Sequence, residues 1–202
     1  MDLTEAILTR RSIRRFKPDE VPDEDLKQII ATAAYAPNAE NMQPYRFILV
    51  KDRVVIKSIY RAVSGKIKEI KSYPETAAVK DRFKSHIRFY TFFARAPVVI
   101  AAVVKPFSTV ITEIYRKRNL ASENTEALQS VSAAIQNILL AAHEKGYGTC
   151  WMTGPLIARK EIERVLGVGD PEKIVALIPL GVTASPTEKL PRKPFEEIAE
   201  IL

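Results

Sequence analysis

The chain has 202 residues, a formal net charge of +7, 47% hydrophobic residues and 27% charged ones. That length fits one domain with a sizeable core, and the apolar share excludes a disordered chain. One cysteine excludes an internal disulfide framework, and two histidines far apart in the chain argue against a structural zinc site.

The first residues, Met1-Asp2-Leu3-Thr4-Glu5, lack the apolar core of a signal peptide, and the longest apolar run, Ala96 to Val104, is too short to span a bilayer. The expectation is a reducing, cytoplasmic setting with no membrane partner. The charge is localised. Residues 57–95 carry ten Lys/Arg against three Asp/Glu, and the rest of the chain is balanced. Such a face attracts nucleic acid or a small anion such as a nucleotide phosphate. No helix-turn-helix, RNA-binding strand motif or zinc finger accompanies it, so nucleic acid is the weaker reading.

Periodicity predicts a helix from Asp2 to about Thr9, with Leu3, Ala6 and Ile7 as its buried stripe. Arg10-Arg11-Ser12-Ile13-Arg14-Arg15 follows, four arginines and a serine within six residues. A solvated helix end that complements the dipole is one reading of this run. A phosphate clip is the other, since guanidinium groups bind phosphate bidentately and a hydroxyl adds a donor. Pro22-Asp23-Glu24-Asp25 starts a second helix, with Leu26, Ile29, Ile30 and Ala33 on its apolar face and Pro37 at its end.

The loop Pro37-Asn38-Ala39-Glu40-Asn41-Met42-Gln43-Pro44 is polar and framed by prolines. Its amides are either turn formers or readers of a planar hydrogen-bonding ligand. Tyr45 to Val50 reads as a strand. Helical segments are expected from about Asp52 to Phe93 with a break near Tyr73-Pro74. Their aromatics Phe83, Phe89, Tyr90, Phe92 and Phe93 are assigned to the core, and His86 a structural role. Pro97 to Val104 is a buried strand. Residues 105 to about 122 are expected to be irregular, a surface excursion or lid.

The longest element is a helix from about Glu123 to Lys145. Leu128, Val131, Ile135, Ile138, Leu139 and Ala142 form one apolar face, and Ala127, Ala134 and Ala141 a second stripe, so it is buried in a core or an interface. Gly146 is its C-terminal cap. Gly146-Tyr147-Gly148-Thr149-Cys150-Trp151-Met152-Thr153-Gly154-Pro155 is not a dinucleotide fingerprint, because Trp151 stands where a third glycine is needed and the stretch follows a helix. It reads as a short strand and a Gly-Pro turn that offers backbone N–H groups. Cys150 reads as a small buried hydrophobe with no neighbouring charge. A helix over roughly Ala158–Leu166, capped by Gly167, and a strand from Lys173 to Val182 follow. The tail from Lys189 to Glu197 is basic, and either solvated or a second arm of the clip.

Four stretches, in this order and at these separations, resemble the nitroreductase family of FMN-dependent oxidoreductases. They are Arg10-Arg11-Ser12-Ile13-Arg14-Arg15-Phe16, the Pro37–Phe47 loop and strand, Gly148-Thr149-Cys150-Trp151-Met152-Thr153-Gly154, and Leu190-Pro191-Arg192-Lys193-Pro194. The resemblance implies a single α+β domain over residues 1–202, with a central, mostly antiparallel sheet flanked by helices. It also implies an intertwined homodimer with FMN at the subunit interface. Arg10, Arg11 and Ser12 would hold the flavin phosphate and ribityl chain, joined by Arg192 and Lys193. Arg14 would lie at the pyrimidine edge of the ring, where a cation stabilises developing negative charge. Asn38, Asn41 and Gln43 would come from the partner subunit, and Met152, Thr153 and Gly154 would pass over the ring. The sequence departs from the family loop at Asn38 and Glu40, where serine and glycine are usual, and at Tyr45, where the aromatic is usually tryptophan.

The implied activity takes hydride from NAD(P)H and passes it to a nitroaromatic, a quinone or a similar small-molecule acceptor by a ping-pong mechanism, with no catalytic side chain required. Reductive dehalogenation or flavin fragmentation are specialised variants that usually need extra lid segments, for which 202 residues leave little room. A non-enzymatic flavin-binding or redox-sensing protein is the alternative from a different class.

Overall fold

The computed structural model describes residues 1–118, 125–185 and 190–202. Its centre is a four-stranded antiparallel sheet. The strands are β1 (Tyr45–Val50), β2 (Val98–Val104), β3 (Tyr147–Thr149) and β4 (Lys173–Val182), in the spatial order β1-β2-β4-β3. The sheet is antiparallel as the resemblance implied.

Every residue of β2 is buried, which explains why its sequence shows no polar alternation. Period-two geometry sends successive side chains to opposite faces. Val98, Ile100, Ala102 and Val104 join one core and Val99, Ala101 and Val103 the other. The first core is closed by helices α2 (Asp23–Ala31) and α7 (Thr125–Glu144) through Leu26, Ile29, Val131, Ile135 and Ile138. The second is closed by α3 (Arg53–Lys71) and α8 (Arg159–Leu166) through Ile56, Ile59, Val63 and Ile162, together with Phe93. Each fully buried Ile or Phe contributes roughly 1.5–3 kcal/mol. A register shift between Ala102 and Val103 inserts an extra β4 residue, so both faces of β4 stay in phase with their cores.

The remaining helices are α1 (Leu3–Thr9), α4 (Glu75–Ala78), α5 (Lys80–Ile87) and α6 (Val110–Lys117). Asp2 caps α1, its carboxylate accepting from the Glu5 N–H at 2.8 Å. The expected stripe of α1 is not formed: only Ala6 is buried, while Leu3 is 69% and Ile7 52% exposed. This seven-residue helix packs mainly on α7, so its apolar residues lack a full second wall. Leu128 is likewise half-exposed, in the first turns of α7, whereas the rest of its predicted face is buried. The predicted first residue of that helix, Glu123, lies outside the described residues, as do the end of the 105–122 segment and Lys189 in the tail.

Residues 105–118 are not irregular throughout, because they contain α6. Thr109 and Thr112 cap it reciprocally: the Thr109 N–H donates to Thr112 Oγ1 at 2.8 Å and the Thr112 N–H to Thr109 Oγ1 at 3.2 Å. The helical spacing of Val110, Ile111, Ile114 and Tyr115 is visible in the sequence, and all four are exposed. The helix after Gly154 begins as a 3-10 turn over Gly154–Ala158, and Gly167 ends α8 at φ 65.

Candidate functional site

Residues 12–17 run extended beside the end of the sheet. Ser12 bridges Thr149, the Ile13 N–H donates to Thr149 O at 2.8 Å, and the Lys17 N–H donates to Val182 O at 2.9 Å. Glycine makes this approach possible: a Cβ on Gly148 would stand 2.6 Å from both Ile13 Cγ1 and Thr183 Oγ1. Ile13 is thereby pinned inward, and Ser12 and Arg14 take the alternate side.

The arginine run divides its work. Arg11 Nη1 donates to the carbonyls of Leu8 at 2.8 Å and Arg10 at 2.7 Å, which closes the C-terminal end of α1. That is the helix-end role weighed for the whole run. Arg10 is different. Burial holds its pKa below the ordinary value, and Arg11 and Arg192 add to the lowering by repulsion, so the tail returns a third cation to this place. None of Arg10, Arg11, Arg14, Arg15 and Arg192 makes an ion pair among the described residues. Gathered cations without a counter-charge form a site for an anion. Arg10 and Arg11 also line a cavity of about 360 Å³ with His143, Gly148 and Thr149. The cluster fits the phosphate of a mononucleotide. Lys193 is engaged elsewhere, 3.4 Å from Glu197 on the exposed tail.

His143 was not singled out in the sequence, where one polar residue near the end of an apolar helix carries no signal. Its Nε2 lies 2.8 Å from Thr9 Oγ1. The Thr9 hydroxyl gives its single proton to Glu5 O at 2.6 Å, so His143 Nε2 donates to Thr9 and the ring carries its proton there.

Arg14 and Arg15 leave this cavity for another. Arg14 lies over the Phe89 ring at 5.5 Å from its centroid, and Arg88 lies over the same ring at 4.8 Å. Phe89 is therefore no core residue; it is 40% exposed and part of a cation–aromatic group, while Phe93 is fully buried as expected. His86 is exposed and bonds within its own helix, Nδ1 lying 2.7 Å from Arg82 O.

Between the two arginine groups runs the segment 150–154. Cys150 is buried as predicted, but it is not without charged neighbours. Burial pushes its thiol pKa up, opposed by Arg14, the Ser12 hydroxyl and Arg10. Met152 exchanges both backbone hydrogen bonds with Leu177 at 2.9 Å, so its N–H is committed to the sheet. The Thr153 and Gly154 N–H groups have no partner among the described residues, which leaves them as the donors of this turn. Gly154 packs on Tyr90; a Cβ added there would stand 3.3 Å from that ring.

The amide loop stands apart. The Gln43 N–H donates to Asn38 Oδ1 at 2.8 Å, Asn38 Nδ2 donates to Ala36 O at 3.2 Å, and Gln43 Nε2 donates to Asn41 Oδ1 at 3.3 Å. Glu40, Asn41 and Gln43 all have positive φ (52, 53 and 44). The loop leads into Tyr45 on edge strand β1, whose start aligns with Val104 and Lys173, whereas Ser12 joins Thr149 on the opposite edge strand, aligned with Leu180. Three strand spacings, about 14 Å, and some 20 Å along β4 separate the two groups. Within one chain the structure therefore brings Arg10, Ser12 and Arg14 to Cys150, and Arg11 and Arg192 to Arg10, and leaves Asn38, Asn41 and Gln43 at the far corner.

Comparison with known proteins agrees with this architecture. The sequence model of the nitroreductase family matches residues 7–182. YfhC of Bacillus subtilis, provisionally named an NAD(P)H nitroreductase, is 30% identical over 196 residues, covering 96% of this chain and 91% of that protein. An iodotyrosine deiodinase of Thermotoga neapolitana is 29% identical over 185 residues, 91% of this chain and 89% of its own. The crystal structure of a BluB-like flavoprotein from Clostridium difficile 630 has a TM-score of 0.91 and 30% identity, covering 100% of this chain and 99% of that one. With its family match running from the end of α1 through β4, the chain belongs to the nitroreductase family.

Proposed function

We propose that this oxidoreductase is FMN-dependent, uses NAD(P)H as its reductant, and serves a nitroaromatic, quinone or similar acceptor by a ping-pong mechanism. The carrying observation is the convergence of Arg10, Arg11 and Arg192 without a counter-ion among the described residues, with Cys150 close to Arg10 and, a few residues on, the Thr153 and Gly154 N–H groups unpaired among the described residues. Arg10 and Arg192 hold the phosphate, Ser12 offers a hydroxyl to the ribityl chain, and Arg14 stands at the pyrimidine edge. Thr153 and Gly154 supply the backbone donor over the ring. When bound, FMN supplies the redox chemistry, accepting a hydride equivalent and passing it on. The family match and the name of the Bacillus relative support the nicotinamide dependence.

The site is completed by a second copy of the chain in this reading, because Asn38, Asn41 and Gln43 lie at the opposite corner of their own sheet. The exposed Leu3, Ile7 and Leu8 of α1, with Ile198, Ile201 and Leu202 of the tail, are the apolar surface such a homodimer would cover.

Reductive dehalogenation is the second reading. The Thermotoga deiodinase aligns over 89% of its own length, so a 202-residue chain is not too short for that chemistry. Iodide release from iodotyrosine, measured beside nitroaromatic reduction, separates the two.

The test is a visible absorption spectrum of the purified protein followed by anaerobic NAD(P)H. A flavin spectrum that bleaches quickly supports the oxidoreductase. A flavin spectrum that persists favours a binding or sensing protein. No flavin after reconstitution with FMN overturns the assignment.

A further inference from the structure

The second arginine group lies in a cavity of about 690 Å³, well within the range of small-molecule sites. Arg14, Arg15, Arg88 and Arg95 line it together with the aromatic rings of Tyr60 and Phe89, and no carboxylate does. None of the four arginines makes an ion pair among the described residues. Tyr60 is 41% exposed and offers its ring to a ligand, whereas Phe89, 40% exposed, is partly covered by guanidinium groups. Two guanidinium groups already lie over the Phe89 ring, which fixes them before any ligand arrives. The cavity is set apart from the Arg10–Arg192 cluster, yet it reaches the ring end of the proposed flavin site through Arg14, and its wall residues Phe89 and Thr91 flank Tyr90, which packs on Gly154.

We propose that this cavity is the acceptor subsite and selects aromatic compounds bearing a carboxylate. Uncompensated cations favour a charged ligand over its neutral ester, and the flat ring walls favour an arene over an aliphatic acid. A phosphate alone would use the arginines and leave the aromatic walls idle. Binding stands on the cavity itself; only the reaction rests on the FMN reading. For a nitrobenzoate the nitro group loses one oxygen as water: ArNO2, NAD(P)H and a proton give ArNO, NAD(P)+ and H2O. The nicotinamide is oxidised by two electrons as one N–O bond breaks.

The experiment is equilibrium binding of 4-nitrobenzoate and methyl 4-nitrobenzoate, by calorimetry without reductant, to the native protein and to the Arg88→Gln/Arg95→Gln double variant. The native protein should prefer the carboxylate at least tenfold, and the double variant should bring that preference close to unity. Equal binding of both compounds by the native protein, or a preference that survives the double substitution, overturns the proposal. So does a double variant whose one change is weaker NADPH binding relative to NADH, which would give the arginines to the dinucleotide phosphate. Failure of the FMN reading appears separately, as an absent flavin spectrum, since this binding needs no turnover.

Discussion

His143 Nε2 stands 2.8 Å from the Thr9 hydroxyl and ties the last turn of α7 to the end of α1, directly beside the arginine cluster. Burial, and then Arg10 and Arg11, hold the His143 pKa below its usual 6.5. The unfolded chain therefore binds the extra proton first. The histidine's contribution to stability is present above about pH 6.5 and is lost as pH falls below it toward the folded-state pKa. An anion on Arg10 and Arg11 cancels part of their repulsion. Addition of FMN should raise the His143 pKa in an NMR titration; an unmoved pKa would place the phosphate elsewhere.

The two arginine groups should separate in mutagenesis. Arg10→Ala removes a charge-assisted contact and should weaken FMN retention by roughly 10–100-fold, read from flavin content after dialysis. Arg14→Ala should weaken retention less and slow NAD(P)H oxidation by about tenfold, because its cation serves the ring edge. Unchanged flavin content and unchanged oxidation in the Arg14 variant would remove it from the site.

Glu40 holds φ at 52, a left-handed conformation that suits the glycine usual at this loop position. Glu40→Gly should stabilise the protein by about 1 kcal/mol in urea unfolding. It also removes a negative charge from the amide loop, so KM for an anionic acceptor should fall if a second copy brings that loop to the site. No gain in stability would mean that other contacts hold the loop.

Gly148 has the opposite constraint. A Cβ there meets two stiff β-branched side chains, Ile13 and Thr183, at 2.6 Å. Gly148→Ala should destabilise by about 1–3 kcal/mol and loosen the Ser12–Thr149 bridge. Thermal unfolding measures the first effect and flavin retention the second; a variant as stable as the native protein would show that residues 12–17 are free to move.

Much of the fold was legible locally. The apolar runs of β2 and β4, bounded by proline, glycine and charge, gave both strands because each run is just long enough to cross the sheet. Gly167 and Gly146 marked helix ends because only a residue free to take positive φ turns the chain there without strain. The Thr109–Thr112 cap and the spacing within α6 were also present in the sequence, though dense charge obscured them. Tertiary structure decided the rest. Four arginines within six residues look equivalent on paper, but Arg10 lines one cavity and Arg14 another, and only the folded chain returns Arg192 to Arg10 and Phe89 to Arg14. Leu3 and Ile7 have the spacing of a buried stripe, yet whether a stripe is buried depends on a second wall, and α1 packs mainly on α7. The amide loop and the arginine cluster sit at opposite corners because strand order, which no local pattern encodes, puts β1 and β3 on opposite edges of the sheet.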